Sequence, residues 1–353
     1  MAENFRIDSH KLIYHPCEVA KWLSGEKVYP IEMEIGLSGA CNHRCIFCAL
    51  DYVGYKPNFL DKDLILKNLR ALSERGLKSI IFAGEGEPLM HKDAPEIFNA
   101  TKSYGVDVAL STNGALLTKE ISEKCLQSMT WIRFSIAAAT DETYDKIQRG
   151  RKGDLQRVYK NLQDAVQIKR DKNLSVTLGG QLLLLEDNKD EVYLLAKNLR
   201  EIGLDYITIK PFIPSKYSSH LIAVDYSDSI EIERRVKELV TEDFDVYYRH
   251  QAVKNLSMEK PYEKCYALPF MTHISAAGEI FPCVAYVGIK EFLYGNLYEK
   301  SFVEIWESDR TREIMEKFSG EFLKKNCRKA CRLDEMNKYL SELKNPGAHV
   351  NFI

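Results

Sequence analysis

From residue 31 to about residue 211 the chain alternates short apolar runs with longer segments whose apolar positions recur at helical spacing. A segment at 61–76, for example, has one apolar face and ends at a glycine, as helices commonly do. The apolar runs predict six β-strands, at residues 31–37, 78–83, 107–111, 131–136, 176–185 and 206–212. Such βα alternation is typical of a parallel sheet, either doubly wound or closed into part of a barrel.

The pattern loosens after Pro214, and a charged helix is predicted near residues 228–241. Short strands, turns and cysteines follow from about residue 263. We therefore expect four parts, with boundaries where the texture changes: an N-terminal extension at 1–30, an α/β domain at 31–214, a connecting segment at 215–262 and a small cysteine-rich α+β domain at 263–353.

Charge and hydropathy exclude some partners. With 49 basic and 51 acidic residues the formal net charge is -2, so the chain lacks the basic field that draws proteins to nucleic acid. No run approaches the roughly 18 apolar residues that span a bilayer, and the first residues do not read as a secretory signal. We expect a cytoplasmic protein with no membrane partner. In a reducing compartment, nine cysteines favour a metal or redox role over disulfides.

Three of those cysteines, Cys41, Cys45 and Cys48, follow the first predicted strand, at the strand end where active sites of α/β folds lie. A tetrahedral zinc ion would need a fourth ligand from elsewhere, and His43, between the cysteines, is expected to face away. Clustered thiolates also bind iron–sulfur clusters, and three of them leave one iron of a four-iron cluster open to an external ligand.

The spacing C-x-x-x-C-x-aromatic-C, formed by Cys41, Cys45, Phe47 and Cys48, resembles the motif of the radical S-adenosylmethionine superfamily. The resemblance implies a partial (β/α)6 TIM-like barrel and a [4Fe–4S] cluster whose open iron chelates S-adenosylmethionine. It also implies an external reductant such as flavodoxin or ferredoxin, and a 5′-deoxyadenosyl radical as the reactive species. Phe47 would pack near the adenine.

Later segments match further motifs of that superfamily at strand ends. "GEGEP" (84–88) resembles its G-G-E-P motif, which receives the ammonium group of the cofactor, although Glu85 stands where the family has its first glycine. "SIAAAT" (135–140) lacks the aspartate that many relatives carry after the Ser-Ile pair. The resemblance makes the following residues candidates for binding S-adenosylmethionine: Gly84, Gly86, Glu87, Pro88, Ser111, Asn113, Ser135 and Arg149. Gln181, on the fifth predicted strand, is a candidate for binding either the ribose of the cofactor or the substrate.

A second set of cysteines comprises Cys265, Cys283, Cys327 and Cys331. The first two flank a predicted hairpin with Gly278 at its turn, and the last two are spaced one helical turn apart. Four thiolates can close a zinc site or a four-iron cluster completely. The region resembles the SPASM domain in its short form, called twitch, which implies one auxiliary [4Fe–4S] cluster; structural zinc is the alternative.

The substrate is expected to be a small polyol. Lys210 would point into the barrel mouth and bind a carboxylate or phosphate group. The cysteine spacing resembles that of aminocyclitol dehydrogenases, which implies oxidation of a carbinol carbon of a sugar, cyclitol or nucleotide-linked polyol, with the auxiliary cluster as electron acceptor. The rival is epimerisation with Cys17 as thiol hydrogen donor, whereas Cys125 is expected in the core.

Two other functions stay open at this point. Modification of a ribosomal peptide is one, although the roughly 30 residues before the first strand are fewer than a leader-binding module needs. A zinc-bearing scaffold without catalysis is the other.

Overall fold

The structure is a computed structural model that describes residues 9–352. Its strands are β1 Glu32–Ile35, β2 Ser79–Phe82, β3 Asp107–Thr112, β4 Met129–Ser135, β5 Thr177–Leu184, β6 Tyr206–Pro211, β7 Asp245–Tyr248, β8 Met271–Ile274, β9 Glu279–Phe281 and β10 Gly295–Asn296. Its α-helices are α1 Pro16–Leu23, α2 Lys62–Ser73, α3 Ala94–Ser103, α4 Lys119–Cys125, α5 Asp141–Ile147, α6 Asp154–Asp171, α7 Val192–Ile202, α8 Ser229–Lys237, α9 His250–Asn255, α10 Phe302–Trp306, α11 Asp309–Lys317, α12 Gly320–Asn326 and α13 Asp334–Lys344.

The strand order distinguishes between the two folds that the sequence left open. All ten strands form one sheet in the order β10-β9-β8-β1-β2-β3-β4-β5-β6-β7, and β1 to β7 are parallel with each strand beside the next in the chain. A doubly wound sheet would reverse its order at a switch point. The consecutive order therefore indicates a barrel wound in one direction, open because β7 is an edge strand.

The six predicted strands are all present, but the sheet is larger than a (β/α)6 unit. The expected connecting segment contributes α8 and β7, and β7 pairs with β6. At the other edge β8, from the cysteine-rich region, pairs in parallel with β1, and β8 and β9 form the expected hairpin around Gly278. The cysteine-rich region therefore extends the barrel sheet without a break.

The two faces of the barrel sheet differ in burial. Side chains that face the helices are fully buried, as in the contact of Phe82 with Phe98 of α3, whose ring centroids are 4.8 Å apart. The opposite face, which we call the lumen face, carries half-buried polar side chains that the strand registers align: Ser111, Arg133, Ser135, Gln181 and Lys210. Polar groups are thus concentrated inside the open barrel.

The N-terminal segment that contains α1 lies at the amino ends of the strands. Trp22 of α1 packs against Tyr266 and Phe270, which precede β8, and the Ile31 amide donates to the Phe270 carbonyl. Within residues 9–352, no helix combines the length and the apolar character needed to cross a bilayer.

Candidate active site

The first three cysteines lie in the loop that follows β1, and neighbouring elements hold that loop. The Glu87 amide donates to the Ala40 carbonyl at 2.8 Å, and the amide of Ile46 donates to the Ile147 carbonyl at 2.9 Å. The guanidinium of Arg44 donates to the Cys41 carbonyl and lies 4.2 Å from the centre of the Tyr55 ring. The loop is thereby fixed at both ends.

The electrostatics of these thiols fit an iron–sulfur cluster. Burial, with the negative charge of Glu87, raises the pKa of Cys41 to about 12. Burial, together with its neighbours Cys41 and Cys48, also raises the pKa of Cys45. Thiolates placed so close together need a cation to stabilise them, which a cluster supplies and which deprotonates them as it binds.

His43 is directed away from the thiols, as expected. Its ring is buried, and Nε2 lies 3.2 Å from the carboxylate of Asp154 at the start of α6. Gly150 passes so close that an added Cβ would lie 2.5 Å from the same ring nitrogen. His43 therefore anchors the cysteine loop to α6.

The "GEGEP" turn touches the cysteine loop through backbone atoms. Gly86 has φ +73°, and a Cβ there would lie 2.1 Å from the Ser38 carbonyl oxygen and 2.4 Å from that of Ala40. Gly84 has φ +115° and leaves no room for a Cβ beside His273. Pro88 opens a short 3-10 turn. Glycine is thus required at Gly86 for the close approach to the cysteine loop and at Gly84 for the close approach to His273 of β8.

Glu87 is buried and uses both carboxylate oxygens within the chain. One accepts from the hydroxyl of Thr112 at 2.6 Å and from the Leu89 amide, and the other accepts from the Asn113 amide at 2.8 Å. Asn113 in turn donates to the Asn42 side chain at 2.7 Å. Glu87 and Asn113 therefore join the ends of β2 and β3 to the cysteine loop, next to the thiols.

Ser135, at the end of β4, and Gln181, in the middle of β5, lie side by side in register on the lumen face. The side chain of Gln148, a residue that the sequence analysis missed, donates to the Ser135 carbonyl and accepts from the Ala137 amide. Its neighbour Arg149 is exposed and has φ +49°, a strained conformation for a residue other than glycine.

Phe47 belongs to a small apolar cluster that is separate from the main core. Half-buried Phe47 packs with Ala137, Ile147, Leu185 and Phe212 at the carboxyl ends of the strands. An apolar surface of this kind, beside polar Ser135 and Gln181, suits a purine ring with a ribose.

The second cysteine set comes together at the β8 edge. Cys265 and Cys283 flank the β8–β9 hairpin, and Cys327 and Cys331 lie in the turn between α12 and α13. The prediction that the last two are spaced by one helical turn is wrong, because α12 ends at Asn326. Burial and the charges of Cys331 and Cys327 raise the pKa of Cys265 to about 12. These clustered thiols suit an iron–sulfur cluster on the same ground as the first set, whereas within residues 9–352 no three or more His, Cys, Asp or Glu side chains are placed to hold a single metal ion.

Lys210 lies on the lumen face near other cations that the sequence analysis did not single out. Burial, reinforced by the positive charge of Arg133, Arg328, Arg249 and Arg332, lowers the pKa of the Lys210 amine well below its usual value. The alternation of "WIRFSI" could have placed Arg133 on the face of Ser135. No local sequence pattern could have predicted that Arg328 and Arg332 reach the barrel.

The remaining candidate thiols lie elsewhere. Cys17 is exposed on α1, which lies at the amino ends of the strands rather than at their carboxyl ends, so the structure does not bring Cys17 to the site. Cys125 is fully buried in the core, as expected, and its thiol donates to the Ile121 carbonyl.

An open parallel barrel with three clustered thiols after β1 and four more at the β1 edge is the arrangement of radical S-adenosylmethionine enzymes. Residues 35–199 match the family model described as the Radical SAM superfamily, and residues 265–332 match the SPASM family, described as an iron–sulfur cluster-binding domain. The chain belongs to the radical SAM superfamily and carries a C-terminal SPASM domain. These domains bind a [4Fe–4S] cluster with S-adenosylmethionine and an auxiliary iron–sulfur cluster, respectively.

The chain is also similar to characterised proteins. It is 24% identical to the antilisterial bacteriocin subtilosin biosynthesis protein AlbA of Bacillus subtilis, over 86% of this chain and 66% of AlbA, just under two thirds of its length. It is 26% identical to the AdoMet-dependent heme synthase of Methanosarcina barkeri, over 77% and 80%. The structure of Streptococcus suis SuiB bound to S-adenosylmethionine shares the fold, with TM-score 0.67 and 19% identity over 95% of this chain and 79% of SuiB.

Proposed function

We propose that this radical SAM enzyme oxidises a carbinol carbon of a sugar, cyclitol or nucleotide-linked polyol to a ketone. When bound, the first cluster and S-adenosylmethionine would supply a 5′-deoxyadenosyl radical able to take the carbinol hydrogen atom and become 5′-deoxyadenosine. Completing the oxidation would require loss of the substrate's hydroxyl proton to a base and of one electron, which an auxiliary cluster would accept. One hydrogen atom, one proton and one electron together complete the two-electron oxidation.

The observation that carries this proposal is the position of Arg328, which links the auxiliary thiols to the barrel lumen. Arg328, between two cysteines of the second set, donates to the Ile213 carbonyl at 2.7 Å, just beyond the end of β6. The same guanidinium is close enough to the Cys331 and Cys283 thiols and to Lys210 for their charges to interact. An electron acceptor held by these thiols would border the cavity in which the substrate reacts.

The roles of individual residues follow from this proposal. Cys41, Cys45 and Cys48 hold the radical-generating cluster, and the auxiliary cluster is held by Cys265, Cys283, Cys327 and Cys331. Phe47 packs on the adenine, and Lys210 binds an anionic group of the substrate. The polar end and ribose of S-adenosylmethionine are bound by Gly84, Gly86, Glu87, Pro88, Ser111, Asn113, Ser135, Arg149 and Gln181.

An iron count tests the two sites. After anaerobic reconstitution we expect roughly eight irons per chain, from two four-iron clusters. Changing Cys265 to alanine should remove about four of them, whereas the matched change Cys125→Ala should remove none. A protein that keeps zinc at the second site would contradict the role of the auxiliary cluster.

Product analysis tests the reaction. With reductant, S-adenosylmethionine and a panel of polyols, we expect one ketone for each 5′-deoxyadenosine, and Cys265→Ala should uncouple the two. A product that carries solvent deuterium at the reacting carbon would indicate epimerisation instead.

A second candidate, modification of a peptide, is supported by the similarity to AlbA, a bacteriocin biosynthesis protein. A competition assay between a peptide and the polyols distinguishes the two candidate functions. If a peptide substrate supports 5′-deoxyadenosine formation and no polyol competes with it, peptide modification is the function.

A further inference from the structure

The lumen face of the barrel gathers positive charge. Arg133 of β4 and Lys210 of β6 extend from the strands, and further guanidinium groups come from the end of β7 and from the turn between α12 and α13. The charges that act on Lys210 are all positive, and they belong to Arg133, Arg328, Arg249 and Arg332.

Some of these cations have counter-charges within the protein. Arg332 forms an ion pair with the carboxylate of Glu34, with a nitrogen–oxygen distance of 2.7 Å. Arg328 lies near the thiols of Cys331 and Cys283, which are negative as thiolates when they ligate a cluster. These two arginines therefore balance Glu34 and the auxiliary centre.

Arg133 and Lys210 are not balanced in this way. In the part of the chain that the structure describes, the Lys210 amine makes no hydrogen bond or ion pair, and the buried Nε of Arg133 has no partner. Arg133 lies 5.2 Å from the centre of the Trp131 ring, and Glu34 is the only carboxylate among the main charges acting on it. Two half-buried cations without acceptors are costly, and a ligand with matching negative charge would offset that cost.

The strand registers place an aromatic ring beside Arg133 on the lumen face. Gly179 is the register partner of Arg133 on β5 and lies beside Tyr206 of β6. A Cβ at Gly179 would lie 2.1 Å from the Tyr206 ring, so the glycine lets that ring lie against the sheet next to Arg133.

We propose that Arg133 and Lys210, flanked by Arg249 and Arg328, bind a phosphate group of the substrate. This inference rests on the proposed function, and it narrows the substrate to a phosphorylated or nucleotide-linked polyol. A phosphate dianion matches two unpaired cations, and its oxygens suit the planar fork of arginine together with the point charge of lysine. A single carboxylate would leave one of the two charges unmatched.

Calorimetry on the reconstituted holoenzyme with bound S-adenosylmethionine tests the anion site directly. The probes are inorganic phosphate, pyrophosphate and acetate, titrated at constant ionic strength. We expect one phosphate or pyrophosphate site per chain and weaker binding of acetate. Lys210→Met and Arg133→Met should each weaken phosphate binding at least 10-fold, which corresponds to about 1.4 kcal/mol.

A matched control is Lys197→Met, because Lys197 lies on the outside of the barrel in α7 and faces Glu201. It should bind phosphate as the unchanged protein does. Melting curves identify any variant that fails to fold, and since Lys210 has no hydrogen-bond or ion-pair partner among residues 9–352, its replacement should be tolerated.

Equal phosphate affinity in Lys210→Met and the unchanged holoenzyme would overturn the inference, as would acetate binding as tightly as phosphate. The proposed oxidation is tested separately by the ketone product. Phosphate binding without any ketone would refute the oxidation alone, whereas ketone formed from an uncharged polyol, without phosphate binding, would refute the anion site alone.

Discussion

The contact between Gly86 and the cysteine loop makes a sharp prediction for Gly86→Ala. The added Cβ would lie 2.1 Å from the Ser38 carbonyl oxygen, and because the backbone fixes the positions of both atoms, neither can rotate away. Restoring a normal contact moves the loop that carries Cys41 by about 1 Å. A displacement of that size at a reacting centre costs on the order of 100-fold in rate. The positive φ adds about 1–2 kcal/mol of strain.

A comparison with Gly105→Ala separates the effect of backbone strain from the effect of the collision with Ser38. Gly105 has φ +76°, nearly that of Gly86, but a Cβ there has no atom within 4 Å. Gly105→Ala should lose about 1–2 kcal/mol of stability in urea, from the positive φ alone, and Gly86→Ala should lose more because the collision adds to the strain. Only Gly86→Ala should lose iron from the first cluster and form 5′-deoxyadenosine about 100-fold more slowly. If Gly86→Ala keeps its iron and its rate, the close approach of the two loops is not needed for activity.

Three further predictions concern buried polar groups. Lys210→Met should stabilise the substrate-free holoenzyme. Burial and nearby arginines lower the pKa of Lys210 in the folded protein, so between the folded and the unfolded pKa the unfolded chain binds the extra proton, and the stability of the unchanged protein relative to the variant should rise with pH by up to about 1.4 kcal/mol per pH unit. Urea unfolding between pH 6 and 9 measures this dependence, and equal slopes for the two proteins would contradict it. Burial acts to raise the pKa of Glu191, but hydrogen bonds from Thr140 and Thr143 outweigh it and lower the pKa. Glu191→Gln should therefore cost about 1 kcal/mol of stability at pH 7 and progressively less as the pH falls below about 4.3, where the carboxylate takes up a proton. Glu201→Gln, at an exposed position, is the control. His43→Asn should lower stability by about 1 kcal/mol through loss of the contact with Asp154 yet keep the full iron content; loss of iron equal to that of Cys45→Ala would show that His43 is a ligand.

Local pattern was sufficient to predict the six strands from β1 to β6, within about two residues at each end, because each is a distinct apolar run between amphipathic helices. β7 was missed because "DVYY" is only four residues long and lies in a polar region. The pairing of β8 with β1 joins residues more than 230 positions apart in the chain. Such a contact follows from the packing of the whole sheet, which local pattern does not contain.

The candidate site, like the fold, has parts that local sequence predicts and parts that it does not. The cysteines and the glycine turns could be predicted, since their spacing itself reflects the chemistry they suit. The cations around Lys210 could not, because they come from β4, from the end of β7 and from the turn after α12. Gln148 was equally hidden, since a glutamine that binds two backbone groups looks like any polar residue at a helix end.

The departure of Glu85 from the family's glycine motif has a structural reason that also bears on function. Its carboxylate accepts from the Ala276 amide at 2.6 Å and lies 3.3 Å from Nε2 of His273, so it joins the "GEGEP" turn to the β8–β9 hairpin. Gly36, at the end of β1, leaves room for that carboxylate. The same hairpin leads directly to Cys283. A continuous sheet and one buried carboxylate therefore hold the two cysteine sets in a fixed relation, as the proposed electron transfer to the auxiliary centre would require.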